Sequence, residues 1–278
     1  MNIKHYSKID HKTLHFLPFL PSRKRTRGFA LARKYGDWIL DISARETLNT
    51  YDLLTLLYMV KEYLLNGYNA GYIGEGKNKR EIAGIKINVK QFLLMRGILN
   101  KKANRETLKN SIKRLKTIDL TFTHTKTGKE INTSYIYEFE TDENINEIII
   151  YANKKFIDFV IRNGILINLE RLKLYGEKEQ YAILLDLYLQ GTKIKIQNKN
   201  IKYIYREKFT NGEIEQALKL DITKMRQSDK RLIIKKAFEL LCEKGNLPLY
   251  TYNKTKNMWI KTFNNQQVKK NDTGKLQP

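Results

Sequence analysis

The sequence of 278 residues predicts an α+β fold that consists of tandem winged helix-turn-helix domains. The main observation is an order of elements that occurs twice: a long apolar helix, a short strand, a short helix, a basic helix and a β-hairpin. Helices and strands are distinguished by their apolar periods of about 3.6 and 2 residues. We predict a basic N-terminal arm (1–45), a first winged-helix domain (46–165), a second winged-helix domain (166–263) and a disordered tail (264–278).

The first predicted domain begins with a helix and a glycine-rich segment. Leucines and Val60 recur at i, i+3 and i+4 spacing over residues 46–65, which predicts a long helix. Five glycines between residues 67 and 84 end this helix and predict a loop or a hairpin. The segment lacks the G-x-x-x-x-G-K-[ST] pattern, so a phosphate-binding P-loop is not predicted.

The rest of this domain is predicted to carry the helix-turn-helix and its wing. A strand at 85–89, a short helix at 90–95 and a basic helix that Asn104 caps and that continues to residue 116 follow in order. Segments 120–124 and 135–139 alternate around a turn at 126–129, which predicts that they pair as a hairpin. A strand at 147–151 and a helix at 153–162, closed by Gly164, complete the domain.

The second half repeats this order with different residues. The predicted elements are a helix at 176–189, a strand at 201–205, a helix that begins at Thr210 and ends at 218, a basic helix at 228–244, and a hairpin of segments 247–252 and 258–263. Thr210 and Glu213 have the spacing of a capping box, which marks the start of the shorter helix. Two copies of one architecture favour a protein that binds a long partner molecule.

The charge of the chain indicates what that partner is. Lys and Arg number 52 against 29 Asp and Glu, which leaves a net charge of +23. This charge exceeds what solubility requires, and nucleic acid is favoured because each neutralised phosphate releases condensed counterions. A membrane surface is a competing partner, but no segment combines basic residues with a Trp, Leu and Phe face on one helix. A third interpretation is a basic compositional bias, since the chain is rich in Lys, Ile and Asn.

Composition also indicates the compartment. The single cysteine, Cys242, excludes a disulfide framework within the chain and a cysteine-based zinc site. No apolar run approaches the ~20 residues of a transmembrane helix, and the first ten residues lack the apolar stretch of a secretory signal. We therefore expect a cytoplasmic protein.

The basic run PSRKRTR at 21–27 leaves two interpretations open. It follows two prolines and has no amphipathic period, so it is either a solvated tail or an arm that binds phosphates or the minor groove.

The basic helix of the first domain is the candidate reading helix. Arg105, Lys109 and Lys113 share one face, opposite an apolar stripe, and Glu106 is the only acid between residues 101 and 116. A solvated helix face normally mixes charges of both signs, so this pattern favours DNA contact. The predicted contacts are Lys101, Lys102, Asn104, Arg105, Lys109, Asn110, Lys113 and Arg114 on the helix, with Lys126 and Lys129 at the wing tip. Asn104, Arg105 and Asn110 are the predicted base readers.

The second domain has a matching set. The predicted contacts are Lys224, Arg226, Gln227, Lys230, Arg231 and Lys235 around the helix, with Lys254 and Lys256 at the wing tip. Arg226 and Gln227 are the predicted base readers, because Arg can bond guanine and Gln can bond adenine with two hydrogen bonds each. Lysines bind mainly phosphates, which carry little sequence information.

The sequence gives little indication of catalysis or of a cofactor. The histidines never form the His-hydrophobe-His pair of a metal-dependent nicking initiator. A tyrosine nucleophile is not excluded by counting, because the chain has 17 tyrosines, but buried or stacking tyrosines are far more common. Asp142 and Glu143 lie in a polar loop, and Cys242 lies within an apolar helix. We predict no enzymatic activity, no cofactor and no metal site.

Two passages carry a resemblance to a known family. The helix KRLIIKKAFELLCEKGNLPLY (230–250) continues into a hairpin that ends in MWIKTF (258–263). In the first domain, IKINVKQFLLMRG (85–97) and NRETLKNSIKRLKTIDLTF (104–122) have a matching style. Residues 46–263 thereby resemble the plasmid replication initiators with two winged-helix domains, which bind iterons, the repeated sites of a plasmid origin.

The resemblance implies a function and partners. It implies binding to double-stranded DNA with direct repeats, one monomer per repeat, melting of an adjacent AT-rich segment and recruitment of host helicase and initiator proteins. It also implies a homodimer that represses its own gene. Two other functions remain open at this point: a tandem winged-helix transcriptional regulator that binds a single operator, and an enzyme that nicks or joins an origin strand.

Overall fold

The structure, a computed structural model, describes residues 6–9, 19–21, 27–35, 37–76, 79–161, 165–176, 179–197, 201–221, 223–245 and 247–262. The chain divides into two compact units, Met1–Lys173 and Leu174–Pro278, which we call domain 1 and domain 2. Each unit contains a helix-turn-helix that is followed by a β-hairpin. The predicted α+β class with tandem winged helices is confirmed. Within the described ranges, no helix is long and apolar enough to cross a membrane.

Domain 1 contains the larger number of elements. Its helices are α1 (Thr50–Asn66), α2 (Val89–Met95), α3 (Lys102–Lys116) and α4 (Lys154–Ile161). Its strands are β1 (Tyr6–Ile9), β2 (Phe19–Leu20), β3 (Arg27–Tyr35), β4 (Trp38–Glu46), β5 (Leu48–Asn49), β6 (Tyr68–Ile73), β7 (Arg80–Asn88), β8 (Ile118–His124), β9 (Glu130–Ser134), β10 (Ile136–Thr141), β11 (Glu147–Asn153) and β12 (Ile165–Asn168).

Helix α1 forms the centre of domain 1. A capping box starts it: the Asn49 side chain accepts the Asp52 N–H at 3.3 Å, and the Asp52 carboxylate accepts the Asn49 N–H at 3.0 Å. Every residue from Asp52 to Glu62 is buried, because β1, β5, β7 and α3 pack around the helix. Its many leucines therefore fill the core on several sides at once. Helix α1 begins four residues later than the predicted 46–65, at Thr50.

The winged-helix sheet of domain 1 has the order β10-β11-β7-β6, and all of its pairs are antiparallel. Strand β7 leads into the helix-turn-helix of α2 and α3, and the chain returns through β10 and β11. The turn between these two strands, residues 142–146, is therefore the wing of this domain. The glycine-rich segment forms the β6–β7 hairpin, and a Cβ on Gly84 would lie 2.3 Å from the Tyr68 ring.

A second sheet in domain 1 corrects two predictions. Its order is β3-β4-β8-β9, so residues 27–46, predicted as part of a basic arm, form a long hairpin whose second strand pairs with β8. The strand at 118–124 pairs with 130–134, whereas we predicted pairing with 135–139. Alternation identifies a strand and its buried face, but it does not select the partner strand. The basic run at 22–26 lies outside the described residues.

Domain 2 has the simpler winged-helix layout. Its helices are α5 (Gln180–Gly191), α6 (Asn211–Ala217) and α7 (Gln227–Gly245), and its strands are β13 (Ile194–Gln197), β14 (Ile201–Ile204), β15 (Lys208–Thr210), β16 (Leu249–Asn253) and β17 (Met258–Thr262). The sheet order β15-β17-β16 repeats the order β7-β11-β10 of domain 1. The hairpin β16–β17 agrees with the predicted pairing, and its turn, residues 253–257, is the wing of domain 2.

Local sequence and packing explain this second core. Thr210 and Glu213 form the predicted capping box at the start of α6. Burial raises the pKa of Glu213, but hydrogen bonds from the Thr210 N–H and from Arg206 outweigh burial, and the pKa lies below its usual value. Trp259 is buried and donates its indole N–H to Asn211 Oδ1 at 3.0 Å, while its ring lies 5.3 Å from that of Phe238 on α7.

The domain boundaries differ from those predicted. Strand β12 pairs with β1, and this pairing keeps residues 165–168 in domain 1, so the division falls after Lys173 and not after residue 165. Helix α3 begins at Lys102, so Asn104 lies inside its first turn and does not cap it. Gly164 and the predicted tail 264–278 lie outside the described residues.

Candidate nucleic-acid interface

The apolar stripe of α3 anchors this helix, the candidate reading helix, in the core of domain 1. Leu108, Ile112 and Leu115 are fully buried, and α3 packs against α1. The opposite side of the helix carries cations: Lys113 is exposed and Lys109 is half-buried. Lys101, Lys102 and Asn110 are exposed as well. The helix therefore combines a buried anchor with an outward basic face, as docking into a DNA groove requires.

Arg114 belongs to the core side of α3. Its Nη2 and Nε donate to Asp52 Oδ1 at 2.8 and 3.1 Å, and the Asp52 side chain is fully buried. Ser111 donates to the same carboxylate oxygen at 2.7 Å. This network joins α3 to the first turn of α1. We therefore remove Arg114 from the predicted contacts, because its guanidinium neutralises a buried carboxylate.

Arg105 joins the reading helix to the wing of domain 1. Its Nη1 donates to the Asn144 carbonyl at 2.8 Å and to Asn146 Oδ1 at 3.1 Å. Nη1 is thus engaged by the wing and Nε is buried, so in this conformation the guanidinium does not present two free donor nitrogens to guanine. We therefore leave Arg105 out of the proposed base readers, since its guanidinium joins α3 to the wing.

The wing of domain 1 is acidic and internally bonded. Asp142 accepts the backbone N–H groups of Asn146 at 2.7 Å and Glu147 at 3.1 Å. The Glu147 N–H contributes most to keeping the pKa of Asp142 below its usual value, so the carboxylate stays charged. Glu143 is exposed next to it. A wing with this charge repels phosphates, and we do not assign it a contact with the DNA backbone.

Three other residues of domain 1 that were predicted to contact DNA have different surroundings in the structure. The Asn104 amide donates to the Leu99 carbonyl at 2.7 Å, in the turn between α2 and α3, so we leave it out of the proposed base readers. Lys126 and Lys129 are exposed at the β8–β9 turn, which belongs to the second sheet and is not the wing. Lys126 also bonds Asp37 Oδ2 at 2.9 Å.

Helix α7 presents the corresponding surface in domain 2. Its apolar side is buried through Ile234, Phe238 and Leu241. Lys224, Arg226, Gln227 and Lys235 are exposed. The Arg226 carbonyl accepts the N–H groups of Asp229 and Lys230, each at 3.1 Å, so Arg226 stands at the N-terminus of the helix. Residues at the N-terminus of a recognition helix are the ones that reach base edges in helix-turn-helix proteins.

Two predicted contacts of α7 have structural roles. Lys230 is 6% exposed, and its Nζ lies 3.7 Å from Glu215 Oε2 on α6. The Arg231 guanidinium lies over the Tyr252 ring of the wing strand, 5.1 Å from the ring centre. We therefore leave both residues out of the proposed contacts, because Lys230 pairs with α6 and Arg231 packs on the wing strand. The wing of domain 2 itself is basic, with Lys254 and Lys256 exposed at its turn.

The titratable side chains of the described residues include neither a metal cluster nor a tyrosine with a lowered pKa. Within the described part of the chain, no three His, Cys, Asp or Glu side chains lie close enough together to hold a metal ion. Burial raises the pKa of the Tyr58, Tyr135, Tyr188 and Tyr250 phenols above their usual value, which keeps them protonated. His124 bonds the Thr127 hydroxyl at 3.0 Å within the β8–β9 turn.

Sequence reasoning missed the wing of domain 1 and the groups that hold both wings. One signal was present: segments 135–139 and 147–151 are both rich in isoleucine and aromatic residues, and the mostly polar residues 142–146 lie between them. In domain 2, two such segments on either side of a short polar turn predicted the hairpin. Tyr252 and Asn257 had no signal in the sequence, because their role depends on contacts across the hairpin.

Comparison with known proteins identifies the fold. No protein-family model and no curated protein matches the sequence. The crystal structure of the Pi initiator protein in complex with iteron DNA matches with a TM-score of 0.55 and 12% identity, over 95% of this chain and 100% of that chain. RctB domains 2–3 match with a TM-score of 0.54 and 13% identity, over 88% of this chain and 95% of theirs.

A selenomethionine derivative of RctB domains 2 and 3 matches with a TM-score of 0.55 and 12% identity, over 84% of this chain and 86% of that chain. At these identities the likeness establishes the fold alone. The chain has the fold of the iteron-binding Pi initiator and of the RctB domains, along nearly its whole length.

Proposed function

We propose that the chain is a plasmid replication initiator that binds repeated double-stranded DNA sites, iterons, at an origin in the cytoplasm. The observation that carries the proposal is the pair of second helices, α3 and α7, each with a buried apolar side and an exposed basic side. The fold shared with an initiator solved on iteron DNA supports it. Melting of adjacent DNA, recruitment of host helicase and initiator proteins, and autorepression as a homodimer belong to the same proposal.

The proposed contacts are the predicted residues that are exposed at or next to a reading helix or on the wing of domain 2, or that lie on the outward face of a reading helix. In domain 1 these are Lys101, Lys102, Lys109, Asn110 and Lys113. In domain 2 they are Lys224, Arg226, Gln227, Lys235, Lys254 and Lys256. Arg226, Gln227 and Asn110 are the proposed base readers, and the lysines bind phosphates. Of the two wings, only the wing of domain 2 is basic. We therefore assign wing contacts with the DNA backbone to domain 2 alone.

Substitution of Arg226 tests sequence-specific binding. Duplexes are first selected from a random pool with the wild-type chain, and affinities for a selected and a random duplex are then measured by fluorescence anisotropy at one salt concentration. Arg226→Ala is expected to lose about 1–3 kcal/mol on the selected duplex and far less on the random one, because base contacts are lost. Lys256→Ala is the control and should weaken both about equally.

Two outcomes would count against these assignments. Equal losses for Arg226→Ala on both duplexes would remove that residue from the readers. A wild-type chain that enriches no sequence from the pool would overturn the proposed function itself, because an initiator must distinguish its repeats from other DNA.

A further inference from the structure

We propose that Tyr252 is a positioning residue, which fixes the wing of domain 2 relative to the reading helix so that Lys254 and Lys256 meet the DNA backbone. The inference rests on the proposed function and adds a residue that touches neither base nor phosphate. It is carried by three contacts of one side chain, which connect the reading helix, the core and the wing turn.

The Tyr252 ring connects α7 to the wing strand β16. The Arg231 guanidinium of α7 lies 5.1 Å from the ring centre, within the range of a cation–π contact. The ring also lies 5.3 Å from the buried ring of Trp259 on β17. The aromatic face is therefore fixed by the helix and by the core together.

The Tyr252 hydroxyl connects this assembly to the wing turn. It donates to Asn257 Oδ1 at 2.6 Å. Asn257 has a φ of +49°, a left-handed conformation that non-glycine residues adopt at a cost, with Asn among the more tolerant types. An additional contact that stabilises this conformation therefore helps to define the path of the turn.

Asn257 also joins the turn to the first helix of the helix-turn-helix. Its carbonyl accepts the Asn211 N–H, at the start of α6, at 3.2 Å. Its own N–H donates to the Lys254 carbonyl at 3.3 Å, and the Lys256 N–H donates to Asn253 Oδ1 at 2.9 Å. Both lysine backbones thus bond within the turn that Asn257 ends. A turn whose geometry is fixed before binding loses less conformational entropy when its lysines reach phosphates.

The experiment compares wild type with Tyr252→Phe, which keeps the ring and removes only the hydroxyl. On a random duplex we expect about 2–10-fold weaker binding for Tyr252→Phe, because the lysines must be ordered on binding. We also expect the slope of log K against log[salt] to become shallower by roughly 1–2, since each phosphate contact contributes about 0.9. Tyr72→Phe, which removes an exposed hydroxyl in domain 1, is the matched control and should leave both quantities unchanged.

A test in a chain without the two wing lysines distinguishes a positioning role of Tyr252 from a general loss of structure. In a chain that already carries Lys254→Ala and Lys256→Ala, the addition of Tyr252→Phe should cause no further loss of affinity or slope. A second variant, Asn257→Gly, removes the acceptor while glycine tolerates the left-handed φ. It should reproduce the effect of Tyr252→Phe, and the two together should be no worse than either alone.

The inference and the proposed function fail in different ways. If wild type binds duplex DNA with a steep salt slope and Tyr252→Phe keeps that slope, the positioning role is overturned and the function stands. Additive losses in the lysine-free background would also overturn the positioning role. If wild type shows no salt-dependent binding to duplex DNA, both the function and the positioning role are overturned.

Discussion

An increase in salt from about 50 to about 200 mM is expected to weaken duplex binding by roughly 10³–10⁵-fold, the range for about 6–10 phosphate contacts. The cations that remain in the proposed contact set are Lys101, Lys102, Lys109, Lys113, Lys224, Arg226, Lys235, Lys254 and Lys256. The eight lysines of this set fit that range, although Arg226 is assigned to a base and although Arg105, Arg114, Lys126, Lys129, Lys230 and Arg231 are left out. Anisotropy titrations at four or more salt concentrations give the slope of log K against log[salt].

Variants make this measurement specific to the reading helix. The double variant Lys109→Ala, Lys113→Ala should reduce the slope by about 1.8, because each phosphate contact contributes about 0.9. Lys155→Ala on α4 is the control, since Lys155 is exposed on a helix that packs mainly against β1, β7 and β11. A nearly flat slope for the wild type would contradict DNA binding through phosphates.

Arg114→Ala is expected to lower the free energy of unfolding by about 3–5 kcal/mol, the usual cost when one partner of a buried ion pair is removed. The Asp52 carboxylate stays fully buried and loses the two N–H donors of the guanidinium. The Ser111 hydroxyl and the Asn49 N–H still donate to this carboxylate, but neither replaces the positive charge. Urea denaturation followed by circular dichroism measures the loss.

The control for this variant is the neighbouring residue. Lys113→Ala should change the free energy of unfolding by less than about 0.5 kcal/mol, as is usual for an exposed position. An Arg114→Ala chain with wild-type stability would contradict the assigned role. If such a chain also lost affinity for duplex DNA, Arg114 would return to the contact set.

These residues show how far sequence reasoning reaches. The capping box of Thr210 and Glu213, the leucines of α1 and the hairpin of domain 2 were predictable, because each depends on residues that are close in sequence. Lys113 and Arg114 are adjacent and equally basic, yet only the lysine faces outward. Successive helix residues are separated by about 100°, and the carboxylate that binds Arg114 lies far away in sequence, on α1.

The sequence also did not predict which strands pair with each other in domain 1. The segment 118–124 has the alternation of a strand, but its partners, β4 and β9, were set by the rest of domain 1. Because the basic run at 21–27 has no amphipathic period, residues 1–45 were predicted as an arm, whereas 27–46 supply two of the four strands of a sheet. Because of this error, the wing of domain 1 was predicted at residues 126–129. Lys126 and Lys129 were therefore predicted to contact DNA from the wing tip.

The measurement that tests the central claim most directly is a footprint of the full chain on the DNA that flanks its own gene, combined with the mass of the complexes. The account predicts several protected direct repeats beside an AT-rich tract and one chain bound per repeat, because one chain already carries two reading helices. Mass photometry on duplexes with one, two and three repeats should give one, two and three chains. A single protected palindrome, or two chains on a single repeat, would contradict the account.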